Sequence, residues 1–124
     1  MTDQETFDKV KEHLLTQNKL SYNISHGCMY RGLDGLKCAV GCLIPDEIYD
    51  VSIERMAVSK LVHLNNKVAD FLKQFNLPLL ESLQYVHDSL SPHIWPKKLK
   101  EVAEKFELVY DNKPSTDIST SGAS

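Results

Sequence analysis

Apolar residues recur at helical spacing through most of the 124-residue chain. Phe7, Val10, Leu14 and Leu15 form the first stripe. Thr2 and Glu5 stand before it at capping-box spacing, which predicts a helix from Asp3 to Asn18. Lys19 to Ser25 is a polar connector. Pro45 ends whatever Ala39 to Ile44 forms, and Asp46 to Tyr49 suits one helical turn. Ser52, with Ile53, Met56 and Ala57 behind it, can cap a short helix. Ser59 to Leu64 suits another. Val68, Phe71, Leu72 and Phe75 make a further stripe. Pro78 sits where a first helical turn tolerates proline. Leu79, Leu80, Leu83, Val86 and Leu90 continue that helix until Ser91-Pro92. Pro96 opens a last helix with Leu99, Val102, Ala103 and Phe106 facing in. Trp95, just before it, reads as a hydrophobic staple.

Between His26 and Asp50 the helical period is lost. Cys28 to Arg31 and Leu36 to Val40 are short apolar and aromatic runs around Gly32-Leu33-Asp34-Gly35. Asp-Gly is a turn signal, so a β-hairpin is predicted. Two registers stay open. Arg31 opposite Leu36 would send Cys28 and Cys38 to opposite faces, and Cys28 opposite Cys38 would make them neighbours. A lone hairpin is marginal in water, and Phe106 to Tyr110 could add a third strand. The expected fold is therefore α+β: one small domain over 1–110, with four or more helices packed around a short β-hairpin. Residues 111–124 are poor in apolar side chains and are expected to be a disordered tail.

Composition narrows the class. Fourteen Lys and Arg against seventeen Asp and Glu give a formal charge of −3 and a pI near 5.9. That argues against sequence-independent nucleic-acid binding, which needs many phosphate contacts. No apolar run approaches the roughly 20 residues of a membrane span. Met1 to Glu5 is polar and acidic, unlike a secretory signal. Three cysteines are too few for a disulfide scaffold, so a reduced, cytoplasmic setting is expected. A homo-oligomer remains open.

Three chemistries compete in the unusual segment. His26, Cys28, Cys38 and Cys42 have the count of a Cys3His zinc site, but the spacing is poor and buried packing is the plainer reading. Cys38 could be a nucleophile for a hydrolase or transferase if a histidine lowered its pKa. His87 is the first candidate for that base, with His13, His63 and His93 also available and Asp88 or Asp70 as orienter. Tyr30, Arg31 and Lys37 flank the glycine turn. Arginine offers a planar fork for phosphate, glycines admit a ligand to the backbone, and tyrosine can stack on a base. The competing reading of those three is a solvent-facing turn. No P-loop pattern is present. Pro45 to Asp50 carries three carboxylates, which suit a helix start better than a cation site.

The same residues resemble a family. Cys28-Met29-Tyr30-Arg31-Gly32, then Gly35-x-Lys37-Cys38-Ala39-Val40-Gly41, then Leu43-Ile44-Pro45-Asp46-Glu47 and Tyr49 resemble small uncharacterised proteins of tailed phages, prophages and bacteria. A downstream segment, Ser82-Leu83-Gln84-Tyr85-Val86-His87-Asp88, shares the resemblance more loosely. The resemblance implies work in a bacterial host cytoplasm by binding: occupying a host protein, blocking a defence protein, or sequestering a phosphorylated or nucleotide-like molecule. Cys42 is a variable position in that pattern, which weakens the zinc reading. The leading expectation is a binding protein without cofactor, engaging its host protein or phosphorylated ligand through Tyr30, Arg31 and Lys37.

Overall fold

The computed structural model describes residues 1–23 and 27–110. Helix α1 spans Asp3–Gln17 and starts on a complete capping box. Glu5 donates its N–H to the Thr2 hydroxyl (3.1 Å), and Thr2 donates its N–H to Glu5 Oε1 (2.8 Å). Two short helices follow an irregular middle, α2 (Val58–Leu61) and α3 (Lys67–Leu72). Asn76 caps α4 (Leu77–Ser89) by accepting from Leu79 N–H, and Pro78 occupies the first turn. The same Asn76 donates to Asp3 at 2.9 Å, tying the starts of α1 and α4 together. Helix α5 covers Trp95–Lys105.

Helices α1, α4 and α5 pack against one another and enclose the core. Phe7, Leu14, Leu79, Leu80, Leu83, Trp95 and Leu99 are fully buried. Each such side chain contributes about 1.5–3 kcal/mol by leaving water. Trp95 is the first residue of α5 rather than the residue before it, and its indole N–H reaches Leu90 O at 3.1 Å.

The expected α+β class is overturned. The described residues are 58% helical and 4% strand. Among the described residues the paired strands are β1 (Tyr22–Asn23) and β2 (Gly27–Cys28), with Tyr22 opposite Cys28. The predicted hairpin shrinks to one bridge, Arg31 opposite Lys37, which is neither expected register. Leu33–Gly35 is a 3-10 turn, and the second arm winds into another at Gly41–Leu43. Nor is Phe106 to Tyr110 a third strand: it folds back along α1, with Val109 bonded to Gln4. The physical reason is that backbone groups a strand would have satisfied are instead bonded to side chains, described below.

The predicted tail, 111–124, lies outside the described residues, as does His26. Among the described residues, no helix is long and apolar enough to cross a membrane.

Candidate functional site

The irregular middle of the chain is held by side chains reaching out from its neighbours. Gln17, at the end of α1, treats Lys37 as a strand partner would. Its Oε1 accepts Lys37 N–H (3.0 Å), and its Nε2 donates to Lys37 O (2.9 Å). His13 Nε2 donates to that carbonyl as well (2.9 Å), so this nitrogen carries the proton. Burial lowers the pKa of His13.

Glu54 does the same for the other arm. Its two oxygens accept the N–H groups of Tyr30 (2.8 Å) and Arg31 (3.1 Å), and the Tyr49 hydroxyl donates to it at 2.6 Å. The Arg31 guanidinium lies over the Tyr49 ring, 4.5 Å from its centre. It also donates to Ile44 O (2.8 Å) and pairs with Asp46 at 2.7 Å. Arg31 therefore braces the turn that follows Pro45. Tyr30 is buried, with its hydroxyl donated to Met56 O. The three predicted ligand residues are thus neighbours along the backbone, but the partners of Tyr30 and Arg31 are parts of the fold. Lys37 is half-buried.

Gly41 explains why this segment needs glycine. A Cβ there would fall 2.0 Å from the Tyr30 carbonyl oxygen. Glycine is required by closeness of two backbones.

Helix α4 supplies Gln84, His87 and Asp88 from one face. Gln84 Oε1 accepts Val40 N–H (2.9 Å). His87 Nε2 accepts Ser21 N–H (2.9 Å). An acceptor nitrogen there places the His87 proton on Nδ1, which donates to Asp88 Oδ1 at 2.6 Å. The imidazole is fully buried and stacks on Trp95, ring centres 5.6 Å apart. Cys28 lies against the same group, its thiol directed at Asp88 O (3.8 Å).

Cys28, His87 and Asp88 have ligand atoms within 4.8 Å of one another, the one such Cys/His/acid group among the described residues. Their donor types suit zinc, but the hydrogen bonding does not. A metal on Nδ1 would move the proton to Nε2, where it would face Ser21 N–H, donor against donor. A metal on Nε2 would displace that N–H. The trio is a hydrogen-bonded brace. Of the zinc set drawn from sequence, His26 lies outside the described residues, and Cys28, Cys38 and Cys42 form no ligand cluster among the described ones: Cys38 accepts Gly41 N–H at 3.3 Å, and Cys42 donates to Ala39 O at 3.1 Å.

Burial also opposes thiolate formation at the three cysteines. Burial pushes the Cys38 thiol well above its ordinary range, and that side chain is fully enclosed. Burial, followed by the Asp88 charge, pushes Cys28 up to about 11. Burial pushes Cys42 up to about 12. Nucleophilic cysteines need the opposite shift. His87 has both nitrogens engaged.

Two concavities flank α4. A cleft of about 420 Å³ is lined by Cys28, Arg55, Val58, Gln84, Tyr85 and Asp88, among others. A groove of about 500 Å³ lies between α4 and α5, lined by Pro78, Tyr85, Val86, Leu90, Lys98 and Val102, among others. Glu81 and Tyr85 belong to both. Tyr85 is 59% exposed and forms the ridge between them.

Sequence reasoning named His87 and Asp88 as a base and its orienter, but missed Gln17, Glu54 and Gln84 as acceptors. The available signal was the i, i+3, i+4 spacing of Gln84, His87 and Asp88, which puts them on one helix face. The two segments that carried the family resemblance meet here, through Gln84 with Val40 and Cys28 with Asp88. Comparison with known protein families, curated proteins and solved structures found no match for the chain.

Proposed function

We propose that this chain is a phage-type accessory protein that acts by binding a host protein in the bacterial cytoplasm, with the exposed face of α4 around Tyr85 as its contact surface. The observation that carries this reading is the placement of Tyr85. It is a large aromatic, 59% exposed, standing between two concavities that it helps to line. Tyrosines flanked by pockets are frequent anchors of protein interfaces. Glu81 and Asp88 lie one turn to either side, and Arg55, Lys98 and Lys105 line the same concavities, so the face carries charges of both signs. The phage setting rests on the resemblance alone.

The structure bears on the competing readings through its hydrogen bonds. A cysteine enzyme would need a thiolate, and burial disfavours one at Cys28 and Cys38. A phosphate site at the glycine turn would draw Arg31 away from Asp46, Ile44 and Tyr49.

The test is affinity capture from a bacterial host lysate with three baits: the unaltered chain, Tyr85→Ala and Lys37→Ala. A protein held by the unaltered chain and by Lys37→Ala, but lost with Tyr85→Ala, supports the α4 face. Equal capture by all three baits, or loss with Lys37→Ala alone, overturns it. Circular dichroism of each bait confirms that the fold is retained.

A further inference from the structure

The segment after α5 is attached to the start of α1 through one glutamine side chain and one ring contact. Glu107, at φ 59°, turns the chain back, and Leu108 N–H closes the helix end on Ala103 O (2.8 Å). Val109 then meets the other end of the chain. Its N–H donates to Gln4 Oε1 (2.9 Å), and its carbonyl accepts from Gln4 Nε2 (3.0 Å). Tyr110 sets its ring edge-on to Phe7, centres 6.3 Å apart, with Lys11 Nζ 5.0 Å from the tyrosine ring centre.

Beneath this strap lies an unusual residue. Lys11 is 3% exposed, although lysine is among the residues least often buried. Phe7 beside it is fully enclosed. The cover itself is slight. Val109 is 70% exposed, and its N–H and its carbonyl both bond to the side chain of Gln4. Segments held by few, solvent-exposed bonds open well before the whole fold does.

We propose that Glu107–Tyr110 is a latch over Lys11. It opens and closes as a unit while the helices stay folded, so that the lysine amine and the Phe7 ring are reachable in the open form only. The feature is independent of the α4 face and of any partner there.

The test combines amide hydrogen exchange with amine acetylation by an N-hydroxysuccinimide ester, both on the full native chain and read by peptide mass spectrometry. The Val109 amide should exchange at least about 100-fold faster than those of Leu83 and Val86 in α4. Lys11 should acetylate more slowly than exposed Lys60 and Lys97, yet without denaturant. Gln4→Leu and Tyr110→Ala should each speed Lys11 acetylation by about tenfold, with exchange in α4 unchanged. Three results would overturn the latch: Lys11 reacting as fast as Lys60, Lys11 reacting only when α4 also exchanges, or rates unmoved in both variants.

Discussion

Ser21 donates its backbone N–H to the Nε2 of His87 at 2.9 Å, across 66 residues of sequence. The imidazole thereby serves as a backbone acceptor inside the core. His87→Phe keeps a flat ring against Trp95 but removes the acceptor. The stranded N–H should cost about 1–3 kcal/mol. Urea unfolding monitored by tryptophan fluorescence would show a lower midpoint with an unchanged slope. An unaltered midpoint would refute the assignment.

Glu54 offers a second case. Its carboxylate accepts two N–H groups and one hydroxyl. Glu54→Gln turns one accepting end into a donor, which must then face an N–H or the Tyr49 hydroxyl. The expected loss is about 1–3 kcal/mol, larger than for an exposed Glu47→Gln control. Chemical denaturation of the pair measures the difference.

Two glycines in the same segment should respond in opposite degree. Gly41→Ala forces a methyl to within 2.0 Å of the Tyr30 oxygen, so one backbone must move. A loss of about 3 kcal/mol or more is expected, enough to lower expression. Gly35 stands at φ 78° with nothing within 4 Å of an added methyl, so Gly35→Ala should cost only about 1–2 kcal/mol. Melting temperatures of the two variants decide the ranking.

The thiols make stability fall in alkali. Cys28 is raised to about 11 and Cys42 to about 12 from an ordinary value of 9.0. A raised group keeps its proton in the folded chain after the unfolded chain has lost it. Its contribution is complete below about pH 9 and is lost as the pH climbs through the folded values. Urea midpoints should therefore decline from about pH 9 upward, and less steeply in Cys42→Ala. In the native chain at neutral pH, iodoacetamide should label Cys28 slowly and leave Cys38 untouched. Fast labelling of Cys38 would revive the enzyme reading.

The helices were legible because their signals are local. Thr2 with Glu5 and Pro78 lie beside the turns they start, and the apolar stripes repeat within one element. The middle of the chain was not legible for the converse reason. Asp34-Gly35 does make a turn, with both residues at positive φ. What the turn signal cannot reveal is who satisfies the arms. Gln17 takes Lys37 from 20 residues away, Glu54 takes Tyr30 from 24, and Gln84 takes Val40 from 44. A side-chain amide or carboxylate can replace a strand, and nothing in the alternation of apolar residues distinguishes the two. Cys38 and His87 looked reactive as residue types. Burial and occupied hydrogen bonds, which only the fold specifies, oppose that chemistry. The proposed contact surface had no motif, since Tyr85 is one more polar-face residue of an ordinary helical stripe.

The two glutamines of α1 set an order for synthesis. Gln17 can clasp Lys37 once about a third of the chain has been made, whereas Gln4 must wait for Val109, separated from it by 105 residues. The helix made first is therefore closed at its far end early and at its near end last. A ribosome-bound chain halted before Val109 would carry α1 with that near-end clasp still open.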